Sequence, residues 1–215
     1  MQPLFSLNNI DFAYEGGRLV LQDASFDLHE GERVALTGGN GTGKTTLLHL
    51  MVGLHKPQNG TLNAFGRARH SEHDFHEVRC RAGLVFQDPD DQLFSATVAE
   101  DVAFGPFNLG WDRRRVAEAV ETTLQKLDLA GFHDRIVYHL SYGEKRLVAL
   151  ASVLAMQPEV LLLDEPNDGL DSAHSARLVD ILHQSNCAML IASHDREFLK
   201  EVTNRSVKLE NGRIV

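Results

Sequence analysis

The most constraining feature of this chain is the run Gly38-Gly-Asn-Gly-Thr-Gly-Lys44-Thr45, set between a short apolar segment and a helical pattern. Glycines at 38, 39, 41 and 43 let the backbone wrap so that successive N–H groups point inward. Upstream, Arg33-Val-Ala-Leu-Thr37 reads as a buried strand. Downstream, a helix is predicted from near Gly43 to Val52, with Gly53 beyond its end and Pro57 blocking a restart. An anion at that helix start meets free amides and the positive end of the helix dipole. The pattern G-x-x-x-x-G-K-[ST] in this context predicts a nucleotide phosphate site. Its cradle is Gly38, Gly39, Asn40, Gly41, Thr42 and Gly43. Lys44 reaches the β- and γ-phosphates, the Thr45 hydroxyl ligates Mg²⁺, and Thr46 continues the loop into the helix.

Such a loop needs strands and helices in alternation, and the rest of the chain supplies them. Leu4 to Phe12 and Leu19 to Leu28 are strand-like around a Glu15-Gly16-Gly17 turn, and residues 60 to 86 read as further strands. Helices dominate from about 97 to 156. Thr97 with Glu100 and Ser141 with Glu144 fit capping boxes, and Asp112 is an N-cap candidate before Arg113 to Leu127. Alternation then resumes: strand 160–164, helix 172–184, strand 187–192, helix 195–201 and a hairpin turning at Asn211-Gly212. The reading is an α/β protein with a largely parallel sheet and an inserted helical middle.

A second motif narrows the chemistry. Val160-Leu-Leu-Leu163-Asp164-Glu165 is a buried strand ending in two carboxylates. Beside a phosphate loop, Asp164 suits Mg²⁺ and Glu165 suits the polarisation of an attacking water. A kinase does not need that second carboxylate as a water-activating base, so the pair favours hydrolysis. Composition removes other classes. A net charge of −9, from 21 basic and 30 acidic residues, argues against a protein that grips nucleic-acid phosphates. Cys80 and Cys187 match no metal-ligand spacing and read as thiols of a reducing compartment. The first residues lack a signal-peptide pattern, and Gln157-Pro158-Glu159 interrupts the most apolar stretch. The chain is expected neither to cross a membrane nor to leave the cell.

Leu140-Ser141-Tyr142-Gly143-Glu144-Lys145, at the start of an apolar helix, resembles the LSGGQ signature of ATP-binding-cassette (ABC) ATPases. The other parts follow in that family's order. Tyr14 matches the aromatic that stacks on adenine, Gln87 the Q-loop glutamine, Asn167 to Asp171 the D-loop and His194 the H-loop histidine. The resemblance, from about residue 4 to 215, implies a P-loop NTPase cassette. It would have a RecA-like core, an N-terminal antiparallel β subdomain and an inserted α-helical subdomain. One domain is expected over 1–215, with its core in about 1–88 and 158–215 and its helical part in 89–157. It also implies ATP and Mg²⁺ as bound groups, Glu165, His194 and Gln87 as catalytic, and Thr45, Gln87 and Asp164 around the metal. Ser141, Tyr142, Gly143 and Glu144 would bind the γ-phosphate in trans, across a dimer. Tyr142 stands at a signature glycine and Glu144 at the usual glutamine, and Asn167-Asp168 replaces the commoner Thr-Ser or Thr-Ala of the D-loop. Bulk at 142 is expected to crowd the nucleotide and Glu144 to add negative charge near its phosphates.

The segment from Phe86-Gln87-Asp88-Pro89 to Phe104-Gly105-Pro106 looks like the ATPases of energy-coupling-factor importers, and Leu154 to Pro158 fits their cobalt and nickel members. The implied partners are a second cassette, identical or not, and integral membrane subunits docking near the Q-loop and helical subdomain, at the cytoplasmic face of the membrane. No nucleic acid is expected. The acidic cluster Asp88, Asp90 and Asp91 reads equally as a solvated loop. The run Arg69-His70-Ser-Glu-His73-Asp-Phe-His76 offers metal-ligand types, but histidines on a solvated loop between strands are the ordinary explanation. With 21 residues after His194, a near-minimal cassette is expected. The rival readings are a vitamin importer (biotin, for example), a non-transport ABC protein acting on DNA or ribosomes, and a regulatory subunit with weak turnover.

Overall fold

The computed structural model describes residues 2–215, which divide into two compact units. The first comprises residues 2–84, 159–165 and 187–215; the second comprises 85–158 and 166–186.

Two sheets build the first unit. Strands β1 (Phe5–Ala13), β2 (Leu19–Leu28), β4 (Asn59–Ala64) and β5 (Arg67–Ala68) form an antiparallel sheet in the order β2-β1-β4-β5. Phe5 and Leu7, and Ile10 and Phe12 beyond a register shift between Leu7 and Ile10, are buried on one face of β1, as a sheet with one covered face requires. The other sheet has the order β10-β9-β3-β8-β7-β6, from β3 (Arg33–Thr37), β6 (Ala82–Val85), β7 (Val160–Asp164), β8 (Ala188–Ala192), β9 (Arg205–Glu210) and β10 (Arg213–Ile214). Strands β9, β3, β8 and β7 run parallel, and β7 and β8 are buried along their whole length. Such strands need apolar residues at every position, which explains the unbroken Val-Leu-Leu-Leu and Ala-Met-Leu-Ile runs. Asn211 and Gly212 both have positive φ, the conformation a two-residue hairpin turn requires, and β9 pairs with β10 around them.

Helix α1 (Lys44–Met51) follows β3 and sends Leu47, Leu48, Leu50 and Met51 into the core shared by both sheets. Between β5 and β6 lies helix α2 (Glu72–Arg81), where strands and a solvated loop were expected. Three local signals produce it. Ser71 and Asp74 form a reciprocal capping box, Phe75 and Val78 make a buried stripe at helical spacing, and Arg79 and Arg81 favour the negative end of the dipole. His70, His73 and His76 are exposed, and no cluster of potential metal ligands exists among the described residues. Cys80 is a half-buried residue of α2. Helix α7 (Arg196–Val202) completes the unit.

The second unit is helical: α3 (Val98–Asn108), α4 (Arg113–Lys126), α5 (Tyr142–Leu154) and α6 (Ser172–Gln184), with short 3₁₀ turns between them. Three of its four long-helix N-caps, Thr97, Asp112 and Ser141, follow the sequence expectations. Thr97 and Ser141 each make a full capping box with the glutamate three residues on, and Asp112 and Asp171 cap α4 and α6. Pro106 sits inside the last turn of α3, where the helix is already ending. No helix among the described residues is long and apolar enough to cross a membrane.

Candidate functional site

In the first unit the phosphate loop leaves β3 and enters α1 at Gly43. That residue is the helix N-cap at φ 106°, and a Cβ there would lie 2.8 Å from Val20 Cγ1, so only glycine closes the loop. It offers no side-chain cap. The amides that open α1 are therefore directed at whatever anion occupies the loop.

Lys44 is 7% exposed. Its Nζ donates to the carbonyls of Gly38 at 3.2 Å and Gly39 at 3.4 Å and lies 3.6 Å from Glu165 Oε1. Glu165, just past β7, has φ 44°, a left-handed conformation that costs a non-glycine residue about 1–3 kcal/mol. Its amide donates to Ala192 O at 2.8 Å, which ties the strained residue to the end of β8. The other carboxylate oxygen, Oε2, receives the His194 amide at 3.1 Å and meets His194 Nδ1 at 2.9 Å. Three residues from three strand ends thus converge because β3, β8 and β7 are neighbours, with Leu36 and Asp164 both registered to Ala192. A carboxylate only accepts, so Nδ1 carries the proton toward Glu165 and Nε2 faces outward.

Asp164 ends β7 with 2% exposure, and Thr45 is exposed in the first turn of α1. A buried carboxylate and a hydroxyl are hard oxygen donors, the set that suits Mg²⁺, and the loop supplies the phosphates that usually complete its shell. Beside the loop opens a cleft of about 620 Å³ whose wall includes Gly38, Gly39, His194, Arg196 and Lys200. Tyr14, 48% exposed, bonds through its hydroxyl to Thr46 Oγ1 at 3.0 Å and packs edge-on against Phe12 and His55. A planar ring thus stands beside the start of α1. His55 was not anticipated, since a lone histidine after a helix carries no pattern.

The remaining predicted residues belong to the second unit. Gln87 is exposed just after β6. The loop that follows is fixed by Gln92, whose side chain accepts from the Phe86 amide at 3.1 Å and donates to Ala149 O at 2.7 Å. The acidic cluster is structural in part. Asp88 caps the 3₁₀ turn at Pro89–Asp91, and Asp90 pairs with Lys145 of α5 at 2.6 Å. Ser141 caps α5, its hydroxyl accepting from Glu144 N at 3.3 Å.

Both departures from the signature pattern are accommodated locally. Glu144 accepts from the Ser141 amide at 2.7 Å and pairs with Arg135 at 3.0 Å. The capping bond first, and the guanidinium with it, hold its carboxyl below the usual range, so its charge is fixed and partly neutralised. Arg135 was not legible, because no local spacing pairs it with Glu144. The Tyr142 ring, the bulk that stands at a signature glycine, lies against Gly169.

Residues 21–168 match the ABC transporter family. An ABC transporter ATP-binding protein of Brucella suis, whose name gives no substrate, is 50% identical over 215 residues, covering 100% of this chain and 89% of that protein. The cobalt import ATP-binding protein CbiO of Rhodobacter capsulatus is 42% identical over 219 residues, covering 100% of this chain and 78% of its own length. The energy-coupling factor ATP-binding protein EcfA2 of Methanospirillum hungatei is 40% identical over 219 residues, and the match spans 55% of that longer protein. Among solved structures, CbiO1 of Clostridium perfringens, part of the ABC transporter complex CbiONQ, superposes with a TM-score of 0.89 and 31% identity. That match covers 100% of this chain and 88% of CbiO1. With a phosphate loop, a strained carboxylate and a histidine converging at neighbouring strand ends, the chain belongs to the ABC transporter family, whose ATP-binding cassettes hydrolyse ATP.

Proposed function

We propose that this chain is the ATP-hydrolysing subunit of an importer of the energy-coupling-factor type. The contact of Lys44, Glu165 and His194 at the mouth of the phosphate loop carries the reading. Lys44 is the counter-charge for the β- and γ-phosphates, and it exchanges Glu165 for them when nucleotide enters. Glu165, freed of Lys44 but still oriented by His194, accepts the proton of the attacking water. A positioned base of this kind contributes about 10²–10⁴-fold. His194 Nε2 is left to face the γ-phosphate. Tyr14 stacks on the adenine. Thr45 and Asp164 would hold Mg²⁺, which when bound neutralises charge on the phosphate oxygens.

Ser141, Tyr142, Gly143 and Glu144 serve a nucleotide held by a second cassette, identical or different, so ATP draws two cassettes together and hydrolysis releases them. The membrane partner docks on the second unit. Supporting this, Phe94, Phe104 and Phe107 are 68%, 48% and 50% exposed, and Phe94 and Phe104 stack edge-on at 4.7 Å. Cobalt or nickel is the favoured cargo, on the likeness of Leu154 to Pro158 to importers of those ions and, for cobalt, on the name of a relative; biotin or another vitamin is the alternative.

ATP titration of Lys44→Ala tests the site. Binding is expected to disappear, and retained tight binding would remove the assignment. Capture of the chain in mild detergent with its membrane subunits, followed by uptake of labelled cobalt, nickel or biotin in vesicles, tests the cargo. Capture with nucleic acid and no membrane protein would contradict the transport reading.

A further inference from the structure

In the second unit, the start of α5 meets the loop 166–171 and the first turn of α6 at three places. The Tyr142 ring covers Gly169: with φ 71°, that glycine is so close that a Cβ would lie 2.9 Å from Tyr142 Cε1. The backbone of Gly143 faces the His174 ring, where a Cβ would lie 3.1 Å from the imidazole, and His174 Nδ1 is held by Asp171 Oδ1 at 2.9 Å. Between these, Arg146 reaches from the next turn of α5. Its Nη2 donates to Asp168 O at 3.4 Å and its Nη1 to Phe86 O at 3.4 Å, and the guanidinium lies 5.2 Å from the Tyr142 ring centroid.

Arg146 is out of place by ordinary rules. It is 3% exposed, it forms no ion pair among the described residues, and its Nε has no hydrogen-bond partner. A buried guanidinium without a carboxylate is costly unless carbonyls and a ring face compensate it. Here the compensation comes from two backbone carbonyls, one preceding Gln87 and one in the 166–171 loop, and from the aromatic ring that replaces a signature glycine.

We infer that Tyr142 and Arg146 are a positioning pair that holds the 166–171 loop to the start of α5, so that this loop and the Ser141 helix terminus move as one body. A glycine at 142 has no ring to lay on Gly169, so the tie belongs to this chain's own departure from the signature pattern. The inference rests on the proposed role of both segments at a nucleotide held in trans. Tyr142 is 42% exposed, so truncating it does not open the core, and alanine keeps the helix propensity of the position.

The test measures hydrogen–deuterium exchange of the 168–171 amides and steady-state ATP hydrolysis. In Tyr142→Ala, exchange at 168–171 is expected to rise about tenfold or more. In Tyr142→Phe, which keeps the ring, protection is expected to remain. For Tyr142→Ala, kcat is expected to fall at least about threefold, with nucleotide affinity of the phosphate loop within about twofold of the parent. Unchanged exchange in Tyr142→Ala, or loss of protection in Tyr142→Phe, overturns the tie. Loosened exchange with an unchanged or higher kcat overturns its part in the reaction. Loss of nucleotide affinity in Lys44→Ala is read separately, so failure of the tie and failure of the site assignment are distinguishable.

Discussion

Replacing Glu165 by glutamine keeps the shape of the side chain and removes the charge that faces Lys44. The two groups are 3.6 Å apart, with side-chain exposures of 8% each. At an effective dielectric of ~20, that spacing corresponds to a gross attraction of about 4.6 kcal/mol. Desolvation of both ions offsets much of it. Lys44 also keeps the Gly38 and Gly39 carbonyls, and glutamine retains an oxygen that can accept. The net loss to the nucleotide-free chain is therefore that of a hydrogen bond to a charged group, about 1.5–3 kcal/mol. With nucleotide bound, phosphates replace Glu165 as the partner of Lys44, and the loss does not arise. Glu165→Gln should accordingly bind a non-hydrolysable ATP analogue roughly 10–100-fold more tightly than the parent, since 1.4 kcal/mol is tenfold. Titration calorimetry of both proteins reads this directly, and denaturant unfolding without nucleotide should show the matching decrease in stability. Equal or weaker affinity in the variant would refute the argument that Glu165 competes with phosphate for Lys44.

Asp74 should reveal itself at low pH. Capping bonds from Ser71 and His70 lower its carboxyl to about 2, so its contribution is complete above the ordinary carboxylate value near 3.8 and is lost as pH falls from there through about 2. Amide exchange at the start of α2 should accelerate across that window, and a flat profile would contradict the capping box. Arg135→Ala should weaken ATP-driven association of cassettes by up to about fivefold, the range of an exposed ion pair, and adding Glu144→Gln should restore it. Association unchanged in the single variant would mean that Glu144 needs no neutralisation. Gly43→Ala forces a Cβ into Val20 at φ 106° and should cost about 1–3 kcal/mol of stability along with ATP binding; a stable, ATP-binding variant would contradict the loop geometry.

What the sequence made legible was local. The phosphate loop, the carboxylates ending β7 and the capping residues Thr97, Asp112 and Ser141 act within one turn or one strand end, so residue spacing alone reveals them. Helix α2 was missed although Ser71 and Asp74 form the same kind of cap. The nine-residue stretch after Glu72 is mostly histidine, arginine and acid, and only Phe75 and Val78 of α2 are buried, too thin a stripe to stand out. Non-local pairings left no trace in the pattern. That Glu165 touches both Lys44 and His194 follows from the adjacency of β3, β8 and β7, which no spacing encodes. Arg135 against Glu144 and Arg146 against Asp168 are equally silent. Tyr142 shows the limit most directly: its bulk was legible, but its contact with Gly169 depended on a loop more than twenty residues downstream.

The account rests on Glu165 as the base for water attack, and its most direct test is the hydrolysis rate of Glu165→Gln at saturating ATP. The predicted result is a fall in kcat of about 10²–10⁴-fold while ATP stays bound and cassettes stay associated. A variant that hydrolyses ATP at the parent's rate would contradict it.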